Sequence, residues 1–257
     1  MSTSLIPIVP PGEHELPHSD GEPMESEQHV LQASLLRETL RLAWQARDDF
    51  YVGTNMFVYF SETQVKRNDF RGPDVFVVLD TTRRVRKSWV VWEENGQTPN
   101  VVIELLSEST EAVDRGEKMT IYAKRLHVAE YFLFDPLTFV LEGYKLDGHR
   151  YRRMRADAEG CLPTRELGLR LGVRQGVYEG VDWRWLRWLD AEGKPLPTNA
   201  EQRAKDVAAA RADTAAAQAD AAAAQADAAA AQADAAAARA ENRALAERLA
   251  LLERQGR

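Results

Sequence analysis

The sequence predicts a mixed α/β protein, one β-sheet flanked by helices, followed by a long alanine-rich helix. Three observations carry this. Residues 75–79 and 101–106 are apolar on both faces, as the central strands of a covered sheet are. Ahead of them Val30, Leu31, Leu35, Leu36, Leu40, Leu42 and Ala43 recur at helical spacing. Beyond Pro195 and Pro197 the composition turns to alanine, the best helix former, with no Gly or Pro until Gly256.

In chain order, residues 1–23 are rich in Pro, Gly, Glu and His and are expected to form a flexible lead. Residues 24–47 predict a helix, with Ser26 placed to cap its start. Strand-like runs follow at 50–52, 56–60, 75–79, 88–92 and 101–106, with Gly53 and Asn55 at a turn between the first two. Residues 114–125 predict a helix presenting Met119, Tyr122 and Ala123 on one face, and 130–134 another buried strand. Asp135-Pro136 ends that strand, and 139–146 with 151–154 predict a hairpin across Asp147-Gly148. Residues 160–188 are less regular. Their Trp183, Trp185 and Trp188 are read as anchors in the core, a base-stacking surface being the alternative. The expected organisation is an α/β domain over 24–190, a linker over 191–200 and the helix over 201–257.

Asp213, Asp220, Asp227 and Asp234 recur every seven residues, as do Gln218, Gln225 and Gln232. With Leu245 at heptad position d, Leu249 falls at a, Leu252 at d and Asn242 at a, where a buried Asn favours a two-stranded parallel register. The pattern predicts a homodimer through this helix. A single solvated helix is the alternative, since the upstream seam is almost all alanine and buries little.

Composition narrows the function classes. One cysteine, Cys161, excludes an internal disulfide and fits a reducing compartment. The N-terminus lacks a basic patch followed by an apolar run, and no apolar stretch approaches the roughly 20 residues that span a bilayer, so a cytoplasmic protein with no membrane partner is expected. Net charge is −7, of which the tail from Glu201 carries −1 and the body −6. That is not a protein that coats nucleic acid by bulk electrostatics. It leaves room for acidic metal ligands, whose bound cation reverses the local sign.

The chemistry-bearing residues cluster in mid-chain. Arg71-Gly72-Pro73-Asp74 leads into the apolar run 75–79, and Glu104 lies inside the apolar run Val101-Val102-Ile103-Glu104-Leu105-Leu106. A carboxylate within a buried strand is costly unless it is paired or binds a metal. Two acids on neighbouring strands can share one hard divalent cation, which activates water and stabilises the leaving oxygen of a phosphodiester. Lys118 can stabilise negative charge or orient the water. The structural alternative is that Asp74 caps a turn and that Glu104 pairs with Lys118 or Arg71. His29 and His127 are lone histidines, Ser107 has no evident His/Asp partners, and no Gly-rich phosphate loop is present.

The run Gly21-Glu22-Pro23-Met24-Glu25-Ser26, the pair Gly53 and Asn55, Arg71-Gly72-Pro73-Asp74 and Glu104-Leu105-Leu106-Ser107 together resemble the Uma two family of restriction-endonuclease-like proteins, within the PD-(D/E)XK nuclease superfamily, over about residues 21–171. The resemblance implies a restriction-endonuclease-like core and a Mg2+- or Mn2+-dependent endonuclease acting on DNA. It matches Asp74 to the acid of the first motif and Glu104 to that of the second. The superfamily's lysine, two residues after the second acid, is replaced here by Leu106, and Lys118 on the following helix is the substitute. An acid from the first helix often joins such sites. Glu25, Glu27 and Glu38 are the candidates, with Glu27 ranked first. The runner-up is a catalytically inactive nuclease-fold protein that binds a partner through its coiled-coil tail.

Overall fold

The computed structural model describes residues 10–18, 26–61 and 70–255. Glu25 and the run from Gly21 to Met24 lie outside them. The chain divides into two compact units, Met1–Asn199 and Ala200–Arg257.

Helix α1 (Glu27–Ala43) starts at Ser26, whose hydroxyl accepts a bond from the His29 amide. It ends short of the predicted boundary: the Arg47 amide already bonds the Trp44 carbonyl in a turn. Strands β1 (Phe50–Thr54), β2 (Val58–Tyr59), β3 (Phe70–Arg71), β4 (Val75–Leu79), β5 (Trp89–Val90) and β6 (Val101–Leu105) follow. The next helix, α2 (111–124), joins Glu111–Val113 to Met119–Lys124 through one π-helical turn, Asp114–Lys118. After it come β7 (Glu130–Phe134), β8 (Leu141–Asp147), β9 (Arg150–Arg153), β10 (Leu162–Thr164), β11 (Leu169–Tyr178) and β12 (Val181–Leu189).

The main sheet has the order β1-β4-β6-β7-β8-β9. It is mixed, because β6 and β7 run parallel through the α2 crossover while the other neighbours are antiparallel. Alternation divides the side chains between two cores. Val75, Val77, Val101, Ile103 and Phe132 face α1 through Ala33, Leu36 and Leu40. Phe76, Val102, Leu106, Tyr131 and Leu133 face α2 through Tyr122 and Leu126. Each helix therefore covers one face of the sheet, and β4 and β6 are apolar on both faces except at Glu104 because both faces are dry.

Two small sheets join this one, where the sequence predicts a single sheet. β3-β2-β5 is built from two-residue strands, too short for a period to be read from them. β10-β11-β12 is the tryptophan-bearing segment, and Trp185 and Trp188 are fully buried in it. The exposed row of backbone groups on β12 is met by α1: the Gln32 side-chain amide donates to the Leu186 carbonyl and accepts from its amide, both at 2.9 Å. The Trp188 indole donates to the Leu36 carbonyl at 2.9 Å. These tryptophans are core anchors.

Gly53 belongs to β1 and not to the predicted turn, which falls on Asn55 at φ 46°. A Cβ at Gly53 would lie 2.2 Å from the Phe76 ring, so the close approach of β1 to β4 requires glycine.

The C-terminal helix, Asn199–Gln255, is continuous, and Leu245, Leu249 and Leu252 are exposed along it. No helix among the described residues is long and apolar enough to cross a membrane.

Candidate active site

The antiparallel register of β4 on β6 sets Val75 opposite Ile103, which brings Asp74, one residue before β4, level with Glu104. Glu104 lies on the same face as Val102 and Leu106, toward α2, and is completely buried; Asp74 is partly buried at the strand entrance. The two are cross-linked through backbone. The Leu105 amide donates to Asp74 Oδ2 at 2.7 Å, and the Asp74 amide donates to Glu104 Oε2 at 3.2 Å.

Helix α2 supplies the rest. Lys118 Nζ lies 3.1 Å from Glu104 Oε2 and 2.7 Å from Asp114 Oδ1. The Tyr122 hydroxyl donates to Glu104 Oε1 at 2.7 Å. Asp114, Lys118 and Tyr122 are spaced four apart and form one stripe on the helix face toward the sheet. The stripe begins in the π-helical turn, a distortion that frequently accompanies functional sites. The Tyr131 hydroxyl donates to the Asp114 carbonyl at 2.9 Å and ties this turn to β7. At the rim, Arg71 pairs with Glu117 of the same turn.

The electrostatics follow from three carboxyls around one ammonium. Burial pushes the Glu104 carboxyl up to about 8; Lys118 opposes this, while Asp74 and Asp114 add to it. Burial likewise raises Asp74 to about 6, against the pull of Lys118 and the Leu105 amide. Burial disfavours the Lys118 charge, but Glu104, Asp114 and Asp74 together outweigh it and hold the amine protonated well above the usual range. Near neutral pH Glu104 therefore favours its protonated form.

The donor set fits a hard divalent cation. Mg2+ and Mn2+ favour carboxylate oxygens, and Mg2+ typically takes one or two protein carboxylates while water and substrate oxygens complete its shell. Among the described residues no group of three or more His, Cys, Asp or Glu is arranged to hold a metal ion. Asp74 and Glu104 would therefore hold it with only part of the shell from protein.

Of the residues read from the sequence, the structure brings Asp74, Glu104 and Lys118 together. Leu106, where the superfamily has its lysine, packs in the apolar cluster on the same face, and the Lys118 amine reaches Glu104 from α2. Glu27 is exposed in the first turn of α1. Glu38 accepts from the Tyr178 hydroxyl at 3.0 Å and the Asn199 amide at 2.6 Å, which ties α1 to β11 and to Asn199. Asp114 and Tyr122 were not singled out as site residues. Their spacing from Lys118 was the available signal.

A family model described as "Putative restriction endonuclease", Uma2, matches residues 8–177. The chain belongs to the Uma2 family. The match ends inside β11, so β12 and the C-terminal helix lie beyond it. Among curated proteins, slr1290 of Synechocystis sp., described as uncharacterized, is 29% identical over 118 residues, covering 46% of this chain and 58% of that protein. The chain thus spans little more than half the length of that relative. Among solved structures, one described as a "putative nuclease belonging to DUF820" from Anabaena variabilis is similar at 14% identity and a TM-score of 0.44, over 63% of this chain and 91% of that one.

Proposed function

We propose that this Uma2 protein is a metal-dependent endonuclease that hydrolyses DNA phosphodiester bonds, with Asp74 and Glu104 as ligands of Mg2+ or Mn2+. The observation that supports this best is the pair itself: two acids level with each other across β4 and β6, both destabilised as anions by burial, with a lysine amine at 3.1 Å from one of them. Structural ion pairs also perturb titration, so the pair takes its functional meaning together with the family.

When bound, the cation supplies an activated water and charge stabilisation at the departing oxygen. The chain's own groups do the positioning. The Leu105 amide fixes the Asp74 carboxyl, and Tyr122 fixes that of Glu104. Asp114 holds the Lys118 ammonium in the cleft, where it can meet the negative charge that builds on the phosphate. We also propose that the protein is a homodimer through its C-terminal helix, with Asn242, Leu245, Leu249 and Leu252 on the seam.

The test is cleavage of supercoiled plasmid and of single-stranded DNA with Mg2+ or Mn2+. The wild type should cleave, and Asp74→Ala and Glu104→Ala should each remove the activity. If the wild type cleaves neither substrate with either metal, the Lys118–Glu104 contact is a structural ion pair and the chain is a catalytically inactive nuclease fold.

A further inference from the structure

At the other end of β4 from Asp74 lies a concavity of about 360 Å³, lined by Arg37 and Arg41 of α1, Phe50 and Tyr51 of β1, and Arg83, Arg84 and Arg86 of the segment after β4. Five of its lining residues are arginines and none is an acid. Two of the arginines are neutralised from outside the cavity: Arg84 by Glu13 at 2.9 Å and Glu94 at 2.6 Å, and Arg86 by Glu94 at 2.6 Å. Arg83 donates to the Arg47 carbonyl at 2.9 Å and lies 4.9 Å from the Phe50 ring centroid. Among the described residues Arg37 and Arg41 have no carboxylate partner. They are four apart on one helix face, a like-charge spacing that is unfavourable. Burial, Arg37 and Arg83 all push the Arg41 guanidinium down from its usual range.

A chain with net charge −7 has here gathered cations into one concavity, and among the described residues Arg37, Arg41 and Arg83 have no ion pair there. Such a surface focuses its field on an anion. All five are arginine, whose planar fork matches phosphate oxygens. Phe50 pairs with Leu79 and Thr54 with Val75 on the edge strand β1, so the cavity is offset about five residues, or roughly 16 Å, along the strand from Asp74, with Arg37 and Arg41 reaching it from the sheet face opposite to Glu104. That distance is a few nucleotides of backbone.

We propose that this arginine concavity is a second nucleic-acid contact, which holds a phosphodiester backbone segment away from the catalytic acids. The proposal rests on the nuclease reading, and its test separates the two. Binding of a fluorescent DNA duplex would be measured by anisotropy across salt concentrations, with Ca2+ in place of Mg2+, and cleavage would be measured separately. The proteins are the wild type, Asp74→Ala and the double variant Arg37→Gln/Arg41→Gln. Both arginines are exposed, so the double variant should fold, which a melting curve verifies.

The double variant should bind at least about tenfold more weakly, and its log–log salt slope should flatten by about 1 to 2, since each phosphate contact contributes about 0.9. Asp74→Ala should lose cleavage, which reports on the catalytic acids separately from the arginine contact. Equal affinity and slope in the double variant would overturn the contact, even if the wild type cleaves DNA. Arginine-dependent binding by a wild type that cleaves nothing would uphold the contact and overturn the nuclease reading.

Discussion

Replacing Glu104 by Gln makes the buried carboxyl permanently neutral and should change how stability depends on pH. The Glu104 carboxyl is raised from 4.5 to about 8, so the folded state binds its proton more tightly than the unfolded chain. Its favourable contribution is complete below about pH 4.5, declines as pH rises, and is spent above about 8. Asp74 acts with the same sign, but its window closes near 6. Lys118 has a raised value, so its contribution is fully present up to the unfolded lysine range and is constant here. From pH 6 to 8 the metal-free wild type should therefore lose at most about 3 kcal/mol through Glu104, at 1.36 kcal/mol per unit. For a domain of this size that is a fall in Tm of about 5–10 °C. Glu130, raised to about 7 by burial at the start of β7, adds a smaller loss of the same sign. It is common to both proteins, so the difference between their curves isolates Glu104. Thermal melts in EDTA at closely spaced pH values supply the data. Parallel curves for wild type and Glu104→Gln between pH 6 and 8 would refute the claim that a destabilised carboxylate sits at this position.

Three further outcomes are expected. Lys118→Met removes the ammonium shared by Glu104 and Asp114, so it should cost several kcal/mol at pH 8, where Glu104 begins to ionise, and clearly less at pH 5.5, as urea unfolding at the two pH values would show. Gly53→Ala places a methyl group against the Phe76 ring and should cost about 1–3 kcal/mol at any pH, read from the same unfolding curves; an unchanged midpoint would mean that β1 and β4 are not this close. Sedimentation should show a dimer for the full chain at micromolar concentration and a monomer for a chain ending near Thr198, whereas a dimer that survives loss of the tail would place the interface elsewhere.

The acids could be read from the sequence because each breaks a pattern. Glu104 interrupts five apolar neighbours, and Asp74 precedes an unbroken apolar run, so only pairing or a metal accounts for them. Lys118 could be read as a partner for the buried Glu104, and the family's missing lysine gave it a role in the site. Asp114 and Tyr122 were harder to see, because an acid at a helix start is ordinarily a favourable dipole partner and a tyrosine on the inner face is ordinarily core. Only the packing of α2 on β6 shows that both contact the same charged pair. The β11–β12 hairpin was obscured at its turn. Glu179 and Gly180 both take positive φ, 49° and 80°, and glutamate is not among the residues that announce such a turn. The arginine concavity could not be read at all, since Arg37 and Arg41 are 42 or more residues from Arg83 and only the fold joins them.

The central claim is that Asp74 and Glu104 together hold a divalent cation. Anomalous scattering from Mn2+-soaked crystals at a pH above 8, where both acids ionise, tests it most directly. The account predicts one ion with oxygen atoms of both side chains at about 2.0–2.2 Å, the six-coordinate octahedral range, and Lys118 displaced from the Glu104 carboxylate. An absence of anomalous density between the two acids at millimolar Mn2+, with Lys118 still on Glu104, would contradict it.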